Sequence, residues 1–205
     1  ELKNIRFMQD DILEIETLGL TFDIIESVGV LHHMDNPLAG WRMLASLLRP
    51  NGLMRIGLYS KYARANFFQT ALDTRPKAGL DWQRKIREYR QRLFNLPDET
   101  PLKRTVFLRD FYTLSECRDL LFHAKEHKFT LLDIEKHLSS LELEFMGFDF
   151  PDVNTLDMYR RSFPNDFQAI NLTNWHQFEM TEPNMFVGMY QFWVKQSIKS
   201  ISAEI

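Results

Sequence analysis

The sequence predicts an α/β fold built on one βαβ unit in residues 22–59, on three observations. Phe22 to Val28 is a nearly unbroken apolar run with its polar positions toward the ends, the pattern of a strand whose sheet is covered by helices on both faces. Asn36-Pro37 then supplies a helix cap and a first-turn proline, and Leu38, Trp41, Leu44, Ala45 and Leu48 fall on one helical face. Pro50-Asn51-Gly52 stops that helix, and Leu53 to Tyr59 reads as the next strand. A right-handed crossover sets the two strands side by side, with the first expected mid-sheet. Glu26, Ser27, His32 and His33 then lie at its carboxyl end, where open α/β sheets bind ligands.

The remaining elements follow in chain order. Ile5 to Met8 reads as a short strand ending at Gln9-Asp10-Asp11-Ile12. Ser60 to Leu141 carries helical patterns only: Tyr62 to Leu72, Leu80 to Phe94, Lys103 to Asp110, and two helices opened by Thr113-Leu-Ser-Glu116 and Thr130-Leu-Leu-Asp133. Leu143 to Phe150 and Met185 to Val194 are strands expected to be neighbours, separated by helices near Asn154 to Ser162 and Leu172 to Met180. Trp175, Phe192 and Trp193 sit in apolar patterns and are expected in the core. The organisation expected is a core portion over 1–60, a helical insert over 61–142 and a final strand pair over 143–205.

Composition narrows the function classes. The 205 residues are 44% hydrophobic, enough to bury a core, and the net charge of −3 gives no general reason to expect nucleic acid or an acidic membrane as partner. The single Cys117 excludes an internal disulfide framework and fits a reducing compartment. No stretch approaches a membrane span and the first residues lack signal-peptide design, so a cytoplasmic protein is expected.

The segment Phe22-Asp-Ile-Ile-Glu-Ser-Val-Gly-Val-Leu-His-His-Met-Asp-Asn-Pro37, with Leu48-Arg-Pro-Asn-Gly-Leu53 after it, resembles class I S-adenosylmethionine-dependent methyltransferases. Those segments are similar to the family's fourth strand and to the L-x-P-G-G-L that leads into its fifth; Asn51 replaces one glycine of the usual pair. The resemblance implies an incomplete Rossmann-like sheet with a helical insert between the fifth and sixth family strands and an antiparallel strand pair at the end. It implies S-adenosyl-L-methionine as cofactor, with Asp11 and the Ile12 amide at adenine and Ser27 and Val28 at the methionine part. A small-molecule or protein methyl acceptor is implied as substrate. The family's first strand and glycine-rich turn have no counterpart among the eight glycines, which form no G-x-G-x-G or G-x-G-x-x-G pattern. A carboxyl-terminal portion of a longer enzyme is therefore expected, its N-terminal part lying upstream of Glu1.

Further residues invite roles of their own. His32 and His33 are candidate general bases, since imidazole titrates near neutrality; the alternative is that one packs under the turn and the other faces solvent. Asp110, Tyr112 and Arg118 lie on the insert and are candidate substrate contacts, or a surface held by ion pairs. His123-Ala-Lys-Glu126-His127 matches the H-x-x-E-H order of a zinc hydrolase, but a short helix and no third ligand argue against it, and no metal is expected. Basic residues interleaved with aromatics from Trp82 to Arg92 read as a solvated helix face rather than a nucleic-acid site. A non-catalytic methyltransferase-like module that binds a protein partner through its insert is the alternative reading of the whole chain.

Overall fold

The computed structural model describes residues 3–65, 82–122, 126–150, 154–182 and 185–197. Four strands form one sheet in the order β1-β2-β4-β3, from β1 (Phe22–Val28), β2 (Leu48–Leu58), β3 (Leu143–Phe148) and β4 (Tyr190–Gln196). β1 and β2 are parallel, as the central βαβ unit requires, and β4 lies antiparallel between β2 and β3. The crossover helix α1 (Pro37–Ser46) starts as expected: Asn36 Oδ1 accepts the Ala39 N–H at 3.1 Å and Pro37 occupies the first turn. No described helix is long and apolar enough to cross a membrane.

Strand alternation sorts the sheet into two unlike faces. On one, Ile25, Met54, Ile56, Leu58, Val194, Phe192 and Tyr190 are all buried. Trp41 and Leu44 of α1 belong to this core, as do Leu131, Ile134 and Leu138 of α4 (Leu131–Ser140) and Leu172, Trp175 and Phe178 of α6 (Leu172–Thr181). Tyr159 of α5 (Asn154–Ser162) stacks on Trp175 at 3.7 Å between ring centroids. The other face carries Ile24, 60% exposed, and Leu53, 36% exposed, beside a half-buried Arg55 that bridges Glu26 and Asp149. Among the described residues helices therefore cover one sheet face, not both, and β1 lies at the sheet edge rather than mid-sheet.

Other expectations change for local reasons. Residues 5–8 form no strand, and Phe7 is 92% exposed: no described strand offers them a ladder partner. β2 begins at Leu48 instead of Leu53, because Phe22 pairs with Leu48 while Ile24 pairs with Leu53, so Pro50-Asn51-Gly52 bulges out within the strand. Asn51 takes φ 65 there, a left-handed conformation that asparagine tolerates. β3 stops at Phe148, and β4 starts at Tyr190 rather than Met185. Lys103 to Asp110 resolves into 3-10 turns at Pro101–Phe107 and Arg109–Phe111, since Pro101 permits a first turn but Leu108 is extended between them. Residues 61–65 are helical; the rest of the expected Tyr62 to Leu72 helix, and residues 80 and 81 of the next, lie outside the described residues. Phe192 and Trp175 are fully buried, whereas Trp193 is half-buried.

The insert has a small core of its own. α2 (Trp82–Phe94) contributes Ile86, Tyr89 and Leu93, which meet Leu102, Val106, Phe111 and Cys117, the last from α3 (Leu114–Phe122). α3 is capped as expected, Thr113 Oγ1 accepting the Glu116 N–H at 3.1 Å, and α4 carries the full capping box of Thr130 and Asp133. Although α4 falls within the 61–142 span, its buried face belongs to the sheet core.

The two-faced sheet makes a measurable prediction. Ile56→Ala should cost about 2–5 kcal/mol in urea unfolding, as core truncations do, whereas Ile24→Ala should stay within about 0.5 kcal/mol. Equal costs would contradict a sheet covered on one side.

Candidate functional site

The carboxyl ends of β1 and β2 meet at a tight crossing. A Cβ on Gly57 would lie 2.7 Å from Val28 Cγ1 and 2.8 Å from Met189 Sδ, so only glycine lets the strands and the Met189 loop approach this closely. Gly29 follows in a left-handed conformation, φ 77, turning the chain out of the strand end. Ser27 is 4% exposed, and its Oγ has no hydrogen-bond partner among the described residues. Asp11 is exposed and ahead of β1; its Oδ1 accepts the Leu13 N–H at 2.9 Å and its C=O accepts the Glu14 N–H. Ile12 packs partly buried against the main core.

Above the strand ends, side chains distant in sequence form a stacked cluster. The His32 ring is fully buried, 3.9 Å from the Tyr59 ring and 4.3 Å from the half-buried His33. The Arg64 guanidinium lies 3.5 Å from the Tyr59 ring centre and donates twice to Glu126, both at 2.8 Å. Arg64 is 1% exposed, so the pair is a buried, bidentate one. The His127 N–H donates to the His32 carbonyl at 2.8 Å. A parallel bridge between Ser60 and Phe129 closes the two roots of the insert against each other.

A second buried network sits beside the first. Ser60 Oγ accepts the Ala63 N–H and donates to Glu179 at 2.5 Å, while the Tyr190 hydroxyl lies 2.7 and 2.6 Å from the two Glu179 oxygens. All three residues are fully buried. Burial pushes the Glu179 carboxyl above its ordinary range, and the hydrogen bonds from Ser60 and Tyr190 oppose part of that rise. Burial and the neighbouring Glu179 raise the Tyr190 hydroxyl as well.

The residues singled out from sequence thus fall in three places. Ser27, Val28, His32 and His33 lie at the carboxyl end of β1, whereas Asp11 and Ile12 precede its first residue, Phe22, and the hydrogen bonds of Asp11 are local, to Asp10, Leu13 and Glu14. Tyr112 and Arg118 belong to the insert: Tyr112 is exposed and donates to the Val106 carbonyl at 2.8 Å, and Arg118 lies 5.1 Å over the Trp82 ring. Asp110, also exposed, follows Arg109 in the 3-10 turn beside them. The sequence reading missed Arg64, Tyr59 and the Ser60-Glu179-Tyr190 network, whose partners are far apart along the chain. Glu179 left one signal: it shares the buried face of α6 with Leu172, Trp175 and Phe178. In the H-x-x-E-H motif, His123 lies outside the described residues and Glu126 is engaged by Arg64. Among the described residues no three His, Cys, Asp or Glu side chains gather around one point.

No protein-family model matches the chain. An uncharacterized Synechococcus protein, syc1184_c, is 30% identical over 157 residues, which are 72% of this chain and 37% of that protein. The ubiquinone biosynthesis O-methyltransferase of Parvibaculum lavamentivorans is 34% identical over 73 residues, 33% of this chain and 29% of its own length. Among solved structures, PKMT2 from Rickettsia typhi in complex with AdoHcy aligns at TM-score 0.57 and 14% identity, over 92% of this chain and 38% of its own. A second structure of PKMT2 from Rickettsia typhi aligns at the same TM-score, 0.57, and 14% identity, over 91% of this chain and 37% of its own. The chain has the fold of a class I methyltransferase, and it spans little more than a third of the longer proteins syc1184_c and PKMT2.

Three outcomes test the joint between sheet and insert. Arg64→Met should cost up to about 3–5 kcal/mol by leaving the mostly buried Glu126, among the described residues, only Lys128, 3.8 Å away, as a cation, and adding Glu126→Leu should recover most of it in a double-mutant cycle. Ser27→Ala should be neutral or stabilising in the same assay, because it removes a buried hydroxyl that has no hydrogen-bond partner among the described residues. The raised Glu179 means that the folded protein holds this proton more tightly than the unfolded chain, so its contribution to stability falls as pH rises from the ordinary 4.5 toward the folded value. Subtracting the pH profile of Glu179→Gln from the unaltered protein should isolate that fall; a rise with pH would reverse the assignment.

Proposed function

We propose that the chain is the carboxyl-terminal portion of an S-adenosylmethionine-dependent methyltransferase and forms one wall of its cofactor site. The observation that carries this reading is the parallel β1-β2 crossing, with its left-handed Gly29 and close-packed Gly57, at the sheet edge where the resemblance puts the methyl donor. The residues fit the group. Asp11 keeps carboxylate acceptor capacity toward solvent for an adenine amine, and the Ser27-Val28-Gly29 backbone is held rigidly enough to border the methionine part. When bound, the cofactor supplies a methyl carbon already activated by positive sulfur, so the protein's part is alignment and exclusion of water.

His33, only half-buried, is the more accessible of the two imidazoles to accept a proton from an acceptor. His32, fully buried on Tyr59, supports the turn. Asp110, Tyr112 and Arg118 then belong to the acceptor side, through the insert. Two features support the fragment reading: β1 has a free edge among the described residues, and the second sheet face leaves Ile24 and Leu53 to solvent. Upstream strands and helices of a longer enzyme would cover both.

Calorimetry with S-adenosylhomocysteine, on this chain joined to the polypeptide encoded upstream of Glu1, is the direct test. Binding is expected, and Asp11→Ala should weaken it about 10- to 100-fold, the worth of a hydrogen bond to a charged group, without changing the circular dichroism. An unaltered long protein that binds no S-adenosylhomocysteine would refute the reading.

A further inference from the structure

The outer surface of the insert combines aromatic exposure with a charge opposite to that of the rest of the molecule. Residues 82–122 carry nine Lys and Arg against six Asp and Glu, a formal +3, whereas the remainder of a chain whose total is −3 carries −6. On the same unit Phe107 is 79% exposed, Tyr112 57%, Phe94 42% and Trp82 40%. Side-chain contacts link part of this surface. The buried Phe111 ring meets Phe94 at 5.3 Å and Tyr112 at 5.6 Å, and the Arg90 guanidinium lies 5.1 Å from it. The Tyr112 hydroxyl is tied to the carbonyl of Val106, next to Phe107, and its N–H to the carbonyl of the exposed Arg109. Phe94, Tyr112 and Arg90 therefore gather on Phe111, and the exposed Phe107 and Arg109 belong to the turn segment that Tyr112 is bonded to. At the far end of α2, Arg118 over Trp82 repeats the same pairing.

We infer that this patch docks an acidic polypeptide segment of a partner protein, with aliphatic side chains seated on Phe94, Phe107 and Tyr112 and carboxylates facing Arg90 and Arg109. Solvated charge alone does not explain two large aromatic side chains left in water on one buried ring, with the exposed Phe107 in the adjoining turn, an arrangement with the Tyr and Arg composition of binding hot spots. The sign of the charge selects the partner, since an acidic segment is attracted to the insert and repelled by the rest of the chain. A polypeptide fits better than a nucleic acid. Glu88, Asp98, Glu99, Asp110 and Glu116 are interspersed with the cations, so a regular phosphate ladder would meet like charge, whereas a peptide can place its carboxylates selectively. The inference stands independently of the methyl-transfer reading.

Fluorescence anisotropy of this chain with a short labelled peptide of alternating glutamate and leucine tests it, beside a lysine–leucine peptide and an oligouridine of equal length. The glutamate–leucine peptide should bind alone, weaken as salt is raised, and lose about ten-fold or more of its affinity in Phe107→Ser/Arg109→Glu. Both replaced side chains are exposed, so an unchanged thermal melt is expected; Ile24→Lys on the bare sheet face should bind like the unaltered protein. No binding of the acidic peptide, binding unaffected by the double variant, equal binding of the lysine peptide, or tighter binding of oligouridine would each overturn the proposal.

Discussion

Parallel pairing of β1 with β2 forces the chain between them to cross the sheet, and α1 makes that crossing over the face that carries Ile25, Met54, Ile56 and Leu58. From this follow the position of the core and the position of the site. Burying Met54, Ile56 and Leu58 commits the alternate residues Leu53, Arg55 and Gly57 to the opposite face. Gly57 then sits where the strands must approach most closely, and Arg55 reaches across to Glu26 and Asp149. The carboxyl ends of both strands point the same way, so every loop leaving them gathers at one edge.

At that edge buried polar groups stand at the roots of the insert, while Val187 of the loop before β4 packs on the insert's apolar cluster. The two apolar clusters are separate, one under the sheet and one inside the insert. Where the insert leaves and rejoins the sheet stand the Arg64-Glu126 pair on Tyr59 and the Ser60-Glu179-Tyr190 network. Buried polar groups stabilise little in net terms, but each is costly to leave unsatisfied, so alternatives that break these bonds are penalised. Such a joint fixes orientation more than it adds stability. It also brings Ser60, at the root of the insert, and His32, after β1, into one packed unit through Tyr59 and Phe129.

Much of the local structure was legible along the chain because its causes are local. The Asn36 cap with Pro37, the Thr113 cap and the Thr130-Asp133 box begin helices where their side chains reach the first free N–H groups. α5 spans Asn154–Ser162 as its periodicity predicts. The failures share one cause, which is dependence on a partner. A strand at Ile5 to Met8 needs a neighbour to accept its hydrogen bonds, and the first residues of β4 depend on how the Met189 loop meets Gly57. Of the candidate site, the placement of Ser27, Val28 and the two histidines at the end of β1 was legible in the sequence. Arg64 and Glu179 were not, since their roles rest on pairings 62 and 119 residues apart.

The amino-acid sequence by itself determined the α/β class, the crossover unit, the helix starts and the resemblance to class I methyltransferases, because periodicity, capping and short motifs act over a few residues. Tertiary structure alone decided which face of the sheet is covered, which histidine is buried, and that a stacked arginine and a buried glutamate fasten the insert. Those outcomes depend on burial and on contacts between distant segments, and a one-dimensional pattern carries no record of which distant side chain will be opposite.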